Sequence, residues 1–356
     1  MKIKQNKLQL GLKVIGNIVK DNDIIPVLSN VFFKFNGKLN LITNNSDIIF
    51  SYLIDTDNSF DNFLVNCNLL KQSTSCLDGE YIELNKIDKK ITIESENNKI
   101  SINTQEDTFP DIPEYKKDNH IQINKKVFYE SILGIVFATA TNDMKIELSG
   151  VLFDVQKNKI TLVSTDGIRL AKKEIIQENN FEVKKIIPIK VLNELIRIIP
   201  LLDFEFIDIY ISDGTLVFEI NDVVIISRTI EGNYPDYKQI IPNEFDFKVE
   251  VNKKKLLQSL KLSSIFSDNN LKDTVLKFKN NELEVFSNSG RKGEGTSKIE
   301  IENIIEKEIK FNHDFLLDAI NNIKNDKLML SFDNTKLILS SIGNNDYINI
   351  IMALKE

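Results

Sequence analysis

The sequence predicts an α+β fold in which one domain is repeated three times, each copy an antiparallel sheet carrying two helices. Three observations predict it. A strand-to-helix signal opens each of three segments, a second such signal recurs inside each segment, and strand pairs joined by turn residues lie between them. The domains are expected at 1–117, 118–246 and 247–356.

The opening signal is Ile3-Lys4-Gln5-Asn6-Lys7, then Ile121-Gln122-Ile123-Asn124-Lys125, then Val249-Glu250-Val251-Asn252-Lys253. Each is a short apolar alternation ending in Asn-Lys and running into an apolar pattern of period 3.6, which reads as strand, Asn N-cap and helix. The three Asn residues are 118 and 128 positions apart. The second signal centres on Asn66, Pro188 and Asn312, spaced by 122 and 124. Asn suits an N-cap and Pro a first helical turn. Helices are expected over 7–20, 66–77, 124–140, 188–199, 252–266 and 312–324.

Hairpins fill the intervals. Val31–Phe35 turns at Asn36-Gly37 into 39–42, Val151–Val155 turns at Lys157-Asn158 into 160–163, and Val275–Phe278 turns at Asn280-Asn281 into 283–286. A later strand over 204–211 turns at Asp213-Gly214.

The chain of 356 residues has 42% apolar residues, enough for two or three cores, and a net charge of −7. Taken whole, that charge argues against a nucleic-acid partner. Its distribution reverses the inference. The six expected helices hold thirteen basic residues against four acidic ones, a surplus of nine that leaves −16 elsewhere. Lys13 with Lys20, Lys190 with Arg197 and Lys254 with Lys261 share helix faces, opposite the apolar residues Leu8, Leu12, Ile15, Val19, Val191, Leu195, Ile199, Leu256 and Leu260. Helix 312–324 departs from the pattern, with Asp314 and Asp318 against Lys324. Lysine-rich helices with acidic turns are one reading; a basic surface facing a polyanion, gripping phosphates without reading sequence, is the other.

Other classes are disfavoured. Two cysteines (Cys67, Cys76) and two histidines (His120, His313) supply neither a zinc site nor a disulfide framework, so no metal is expected and a reducing cytoplasmic setting fits. No apolar run approaches ~18 residues, so no membrane span is expected, and the N-terminus shows no apolar signal core. The run Gly290-Arg291-Lys292-Gly293-Glu294-Gly295 lacks Gly-Lys-Ser/Thr and lies between strand patterns, which disfavours a nucleotide site. His120 and His313 have no nucleophile motif beside them and read as surface or capping residues; the cysteines read as packing or idle. A binding protein without cofactor is favoured over an enzyme.

Two central motifs carry a resemblance. Leu148-Ser149-Gly150-Val151-Leu152-Phe153, followed by Leu162-Val163-Ser164-Thr165-Asp166-Gly167-Ile168-Arg169-Leu170-Ala171, resembles the middle domain of the bacterial β sliding clamps, the β subunits of DNA polymerase III. Arg228-Thr229-Ile230-Glu231-Gly232-Asn233-Tyr234-Pro235-Asp236-Tyr237, ending at Ile241-Pro242, is similar to the second clamp signature, and Pro26-Val27-Leu28-Ser29-Asn30-Val31 also matches. The resemblance spans the chain, triplication included.

It implies a head-to-tail homodimer whose six DNA-clamp domains close a ring, helices inside and sheets outside, around duplex DNA. The partners it implies are the DNA polymerase III catalytic subunit, a separate clamp loader and other proteins with a clamp-binding motif. The residues it turns toward DNA are Lys13, Lys20, Lys71, Lys126, Lys190, Arg197, Lys254 and Lys261. The client groove it implies takes Leu148, Thr165, Gly167, Ile168, Arg169 and Leu170 from the first motif, with Arg169 as polar rim. Pro235, Gln239 and Ile240 come from the second motif, and Asn349, Ile351 and Ala353 from the C-terminal tail. The subunit interface it implies joins Ile265 and Phe266 to an edge strand carrying Ile100 and Ile102. The sequence departs from the family at Ile168 (commonly His), Gln239 (usually Arg), Asn22 and Asn142 (often basic or amide DNA contacts), and in a tail, 350–356, without the usual Pro and Arg. That tail motivates an alternative, a clamp-like scaffold that binds peptides but no longer serves the replicative polymerase.

Overall fold

The computed structural model describes residues 1–20, 24–56, 61–141, 145–242, 244–268, 272–302, 305–333 and 335–354. Asn22, Asn142 and the last two residues of the tail lie outside the described residues.

Among the described residues six α-helices stand where the two signals place them: α1 (Gln5–Ile15), α2 (Cys67–Ser75), α3 (Lys125–Leu133), α4 (Ile189–Ile198), α5 (Lys253–Ile265) and α6 (His313–Asn322). Each directly follows a strand. Three Asn side chains cap as the sequence predicts: Asn66 accepts from Leu69 N at 2.9 Å, Asn252 from Lys255 N at 3.0 Å, and Asn312 from Asp314 N at 2.9 Å. The first repeat differs. Lys4 is the N-cap of α1 and makes no side-chain cap, so Asn6 lies inside the first turn. Pro188 ends a strand instead of opening α4.

Several helices stop earlier than periodicity suggests. α3 ends before Gly134, and its continuation is a 3₁₀ turn at Val136–Ala138, consistent with the weak helix preference of Gly and β-branched residues. Lys20 and Lys324 consequently lie beyond helix ends. The apolar faces are as expected: Leu8, Leu12, Ile15, Val19, Val191, Leu195, Ile199, Leu256 and Leu260 are all buried.

The described residues form two compact units, Met1–Lys125 with Arg197–Thr229, and Lys126–Ile196 with Ile230–Glu356. The first unit holds two sheets. One runs Lys2–Lys4, Tyr81–Ile87, Lys90–Ser95, Asn98–Asn103. The other has eight strands in the order Phe63–Asn66, Asn30–Phe35, Leu39–Asn44, Ile48–Ile54, Val223–Arg228, Thr215–Ile220, Phe206–Ser212, His120–Asn124. α1 packs on this sheet through Gly11, where an added Cβ would lie 2.7 Å from Tyr52 Cδ1.

The second unit repeats the plan. Its eight-stranded sheet runs Val183–Pro188, Gly150–Gln156, Lys159–Thr165, Arg169–Ile176, Asn344–Met352, Lys336–Ser341, Lys327–Asp333, Phe247–Asn252. Its four-stranded sheet runs Gly293–Glu300, Glu282–Ser289, Asp273–Lys279, Lys307–Asn312. All ladders are antiparallel, and the three expected hairpins are present. Asn280 and Asn281 both adopt positive φ (53° and 60°), the geometry of a type I′ hairpin turn.

Each eight-stranded sheet therefore joins four strands from each of two successive sequence repeats. Val223–Arg228 pairs with Ile48–Ile54, and Arg169–Ile176 with Asn344–Met352. The first and last half-sheets stay four-stranded and end in open edges, Asn98–Asn103 and Gly293–Glu300.

Candidate client groove and nucleic-acid interface

The Thr165–Asp166–Gly167–Ile168–Arg169 segment is a tight turn between two strands, and its own side chains build it. Thr165 Oγ1 donates to Arg169 O at 2.6 Å and accepts from Gly167 N at 3.1 Å. Asp166 Oδ1 accepts from Ile168 N and Arg169 N, both at 2.9 Å. Gly167 sits at φ 91°, a region open mainly to glycine. Thr165-Asp166-Gly167 is thus a turn closed by its own side chains, with Gly167 supplying the positive φ. Ile168 O then accepts from Met352 N at 2.9 Å, which ties the turn to the C-terminal strand.

Beside the turn lies a cavity of about 30 Å³ walled by Thr165, Gly167, Ile168, Arg169, Leu170, Ile240, Ile350 and Met352. That is room for about one water. Its apolar floor continues into a cluster of Leu152, Val163, Leu170, Tyr237, Ile338, Ile348 and Ile350. Ile168 stands at the mouth, 50% exposed.

The second motif forms the opposite wall. Asp236 caps the 3₁₀ turn Tyr237–Gln239, and Lys336 Nζ donates to Ile240 O at 3.1 Å. Tyr237 is buried, and its hydroxyl lies 3.4 Å from Asp154 Oδ2. Burial first, and the Asp154 charge second, push its pKa up to about 12, so it is a neutral anchor at physiological pH. Gln239 Nε2 donates to Asp236 Oδ2 at 3.0 Å within this turn, and Pro235 is exposed.

Of the residues the resemblance assigned to the groove, the structure gathers Thr165, Gly167, Ile168, Arg169, Leu170 and Ile240 around the cavity. Leu148 is buried in the 3₁₀ turn Ile146–Ser149 and lines no part of it. In the C-terminal strand the face is the other one. Leu170 pairs with Ile350 and Arg169 with Ile351, and successive strand residues point to opposite faces. Ile350 and Met352 therefore stand beside the cavity, while Asn349 and Ile351, each 1% exposed, point to the opposite face of the sheet. Ala353 N donates to Thr335 O at 2.9 Å, strapping the tail down after the groove.

The Arg169 side chain, by its pairing with Ile351, shares that opposite face although the residue lines the cavity. Its guanidinium donates from Nε to Asp166 Oδ2 (3.0 Å), from Nη1 to Asp318 Oδ2 (2.6 Å) and from Nη2 to Phe137 O (2.5 Å). It also stacks on Phe315, 4.2 Å from the ring centroid. The fork is committed inside the fold, so Arg169 braces the turn through its guanidinium while also lining the cavity.

The helices carry the charge expected of them. The observed helices hold eleven basic residues against four acidic ones. Lys13, Lys71, Lys126, Lys190, Lys254 and Lys261 are exposed on them, and Lys20 is exposed beyond α1. Arg197 differs: Nη1 donates to Lys13 O at 2.8 Å and Nη2 to Val14 O at 2.6 Å, closing the C-terminal end of α1. Both histidines have local roles. His120 pairs with Asp208 at 2.7 Å. His313 is buried beside Ser267, where the sequence suggested surface or cap, and Asn312 does the capping. Burial also pushes the Cys67 thiol up to about 11, which leaves it inert.

At the open edges, Ile102 is buried in its own sheet and Ile100 half-buried. On α5, Ile265 is 61% exposed and Leu262 is also exposed. Phe266 lies over Gly295 of the edge strand Gly293–Glu300, so closely that a Cβ there would strike its ring. Among the described residues no group of three or more His, Cys, Asp or Glu could hold a metal, and no helix is long and apolar enough to cross a membrane.

Comparison with known proteins agrees with this geometry. Residues 122–236 match the family described as DNA polymerase III beta subunit, central domain, and residues 238–355 the corresponding C-terminal domain. The beta sliding clamp of Synechococcus elongatus is 26% identical over 96% of this chain and 95% of its own, and that of Buchnera aphidicola 26% over 99% of both. The Staphylococcus epidermidis clamp is 31% identical over 64% of this chain and 62% of its own. Among solved structures, the DNA polymerase III subunit beta of Pseudomonas aeruginosa superposes with a TM-score of 0.94 at 21% identity, covering 100% of both chains. The Thermotoga maritima subunit gives 0.93 at 22%, covering 100% of this chain and 99% of that one. With its triplicated sequence, its sheet plan and its two central motifs, this chain belongs to the bacterial β sliding clamp family of DNA polymerase III.

Proposed function

We infer that this chain is a processivity clamp: a non-catalytic subunit that dimerises head to tail, encircles duplex DNA and tethers the replicative DNA polymerase. The observation that carries this reading is the merging of half-sheets. Two junctions between successive repeats are continuous eight-stranded sheets, and the two remaining half-sheets end in open edges, Asn98–Asn103 and Gly293–Glu300. An exposed strand edge is a template for pairing with another chain. If these two edges pair between copies, every junction in the assembly becomes alike and a two-fold assembly of three-domain subunits closes. The domains of that subunit are 1–117, 118–246 and 247–356. The apolar Ile265 and Leu262 on α5, with Phe266 over the edge strand, supply the hydrophobic part of the contact, and Ile100 supplies the facing edge.

The exposed lysines of α1 to α5 face DNA in this reading. Loose phosphate contacts carry no sequence information, so the ring slides while its closure prevents escape. The work belongs to the cytoplasm, and a separate loader opens the ring.

Clients dock at the cavity between Ile168, Leu170, Ile240, Ile350 and Met352. A Leu or Phe anchor is larger than the cavity, so the rim side chains Ile168 and Met352 move aside to admit it. Ile350 and Met352 keep the apolar wall although the tail lacks the usual Pro, which favours a working clamp over the scaffold alternative.

Sedimentation velocity at micromolar concentration tests the assembly. A species of twice the 40.9 kDa chain mass is expected, and a lasting monomer contradicts the ring.

A further inference from the structure

One charge pattern stands apart in this chain: α6 carries Asp314 and Asp318 where the other helices carry mostly lysines. Asp314 pairs with Lys272 at 2.6 Å, an exposed contact near the start of its own helix. Asp318 reaches the Arg169 guanidinium at 2.6 Å. We propose that Asp318 is a positioning residue of the client groove, acting through Arg169 to fix the turn Thr165–Arg169 that forms the groove's lip. The proposal rests on the groove reading above.

The chain of contacts is short and continuous. Asp318 and Phe315 lie three residues apart on α6 and so present one face, a carboxylate beside an aromatic ring. Arg169 fits that face with Nη1 on the carboxylate and its plane over the ring. Nη2 is held by Phe137 O, and Nε by Asp166 Oδ2. The other oxygen of Asp166 holds the amides of Ile168 and Arg169. Ile168 in turn presents its side chain at the mouth and its carbonyl to Met352 N, so the turn also fixes the C-terminal strand beside the cavity.

The fork geometry matters. Arg169 makes three differently directed hydrogen bonds from a rigid plane, which a lysine ammonium on a flexible stem does not reproduce. Arginine is scarce here, four residues among 45 basic ones, and Arg169, like Arg197, uses its fork to brace the fold. Without the Asp318 carboxylate the guanidinium keeps only the Phe315 ring on α6, and the Asp166 carboxylate loses a fixed donor. The turn then samples positions in which Gly167 and Ile168 no longer meet an incoming anchor, so affinity falls with no groove contact removed.

The test uses the full-length dimer and a fluorescent short peptide carrying Leu and Phe anchors, read by anisotropy. Asp318→Asn should weaken binding by about five- to tenfold, with sedimentation and melting unchanged. Asp318→Glu should restore most of the affinity. Asp314→Asn, the same charge change on the same helix, should leave it alone. In an Arg169→Lys background, Asp318→Asn should add little, because the link is already broken. Met352→Glu should abolish binding and serves as the control for the groove. If Met352→Glu abolishes binding while Asp318→Asn stays within about twofold of the parent, or weakens it no more than Asp314→Asn, the positioning role is overturned and the groove stands. If Met352→Glu leaves binding intact, the groove reading itself is wrong.

Discussion

At the scale of residues, the two bracing arginines show how a side chain's direction decides its role. Arg197 lies on a basic helix face by spacing, yet its fork closes the end of α1 on Lys13 O and Val14 O. Arg197→Ala should therefore lower stability to chemical denaturation by about 1.5–3 kcal/mol, the range for hydrogen bonds from a charged donor. It should leave the salt dependence of DNA binding unchanged. A flatter salt slope with unchanged stability would return Arg197 to the phosphate-binding set. His313 gives a pH prediction. It is packed against Ser267 with Asp314, Asp273 and Lys272 around it, and burial holds its pKa below the ordinary 6.5. The unfolded chain then binds the proton more readily than the folded one, so stability is present above pH about 6.5 and falls as pH drops toward the folded value. Urea midpoints at pH 5.5 and 7.5 should differ in that direction, and His313→Asn should shrink the difference. An unchanged difference in that variant would assign the acid sensitivity to other groups.

At the scale of elements, period and turn chemistry locate nearly every helix and hairpin, because these signals are local. The strand-to-helix signals at Asn66, Asn252 and Asn312 end in real caps. Which face a strand turns toward the groove is less legible. The run Ile348-Asn349-Ile350-Ile351-Met352 is apolar at four of five positions, so alternation gives no phase, and a shift of one residue exchanges Asn349 and Ile351 for Ile350 and Met352. Only the pairing of Leu170 with Ile350 fixes it. The direction of Arg169 was hidden for the same reason, since its partner Asp318 lies 149 residues away. Helix packing leaves a narrower margin than the sequence suggests. Gly11 admits Tyr52 against α1 with no space for a methyl group, so Gly11→Ala should destabilise the protein by about 1–3 kcal/mol despite its better helix propensity. Thermal melting reads this directly; a gain in melting temperature would show that α1 can shift away from Tyr52.

At the scale of the whole molecule, the three repeats were visible in the sequence but their sheet junctions were not. Nothing local in Ile48–Ile54 or Val223–Arg228 says that they pair across about 170 residues, because that pairing depends on how completed half-sheets dock. Net charge misleads at this scale in a similar way. A value of −7 counts every surface alike, whereas an encircling protein needs positive charge only where DNA passes, and in the proposed ring the helices supply it. In the proposed function closure, not adhesion, holds this protein on DNA. The most direct test loads the clamp onto nicked circular plasmid with a clamp loader, washes at high salt, and then cuts the circle once. Retention on the circle and rapid loss after cutting are predicted, since salt screens phosphate contacts but cannot open a ring. Equal retention on circular and linear DNA, or loss from both at high salt, would contradict encirclement.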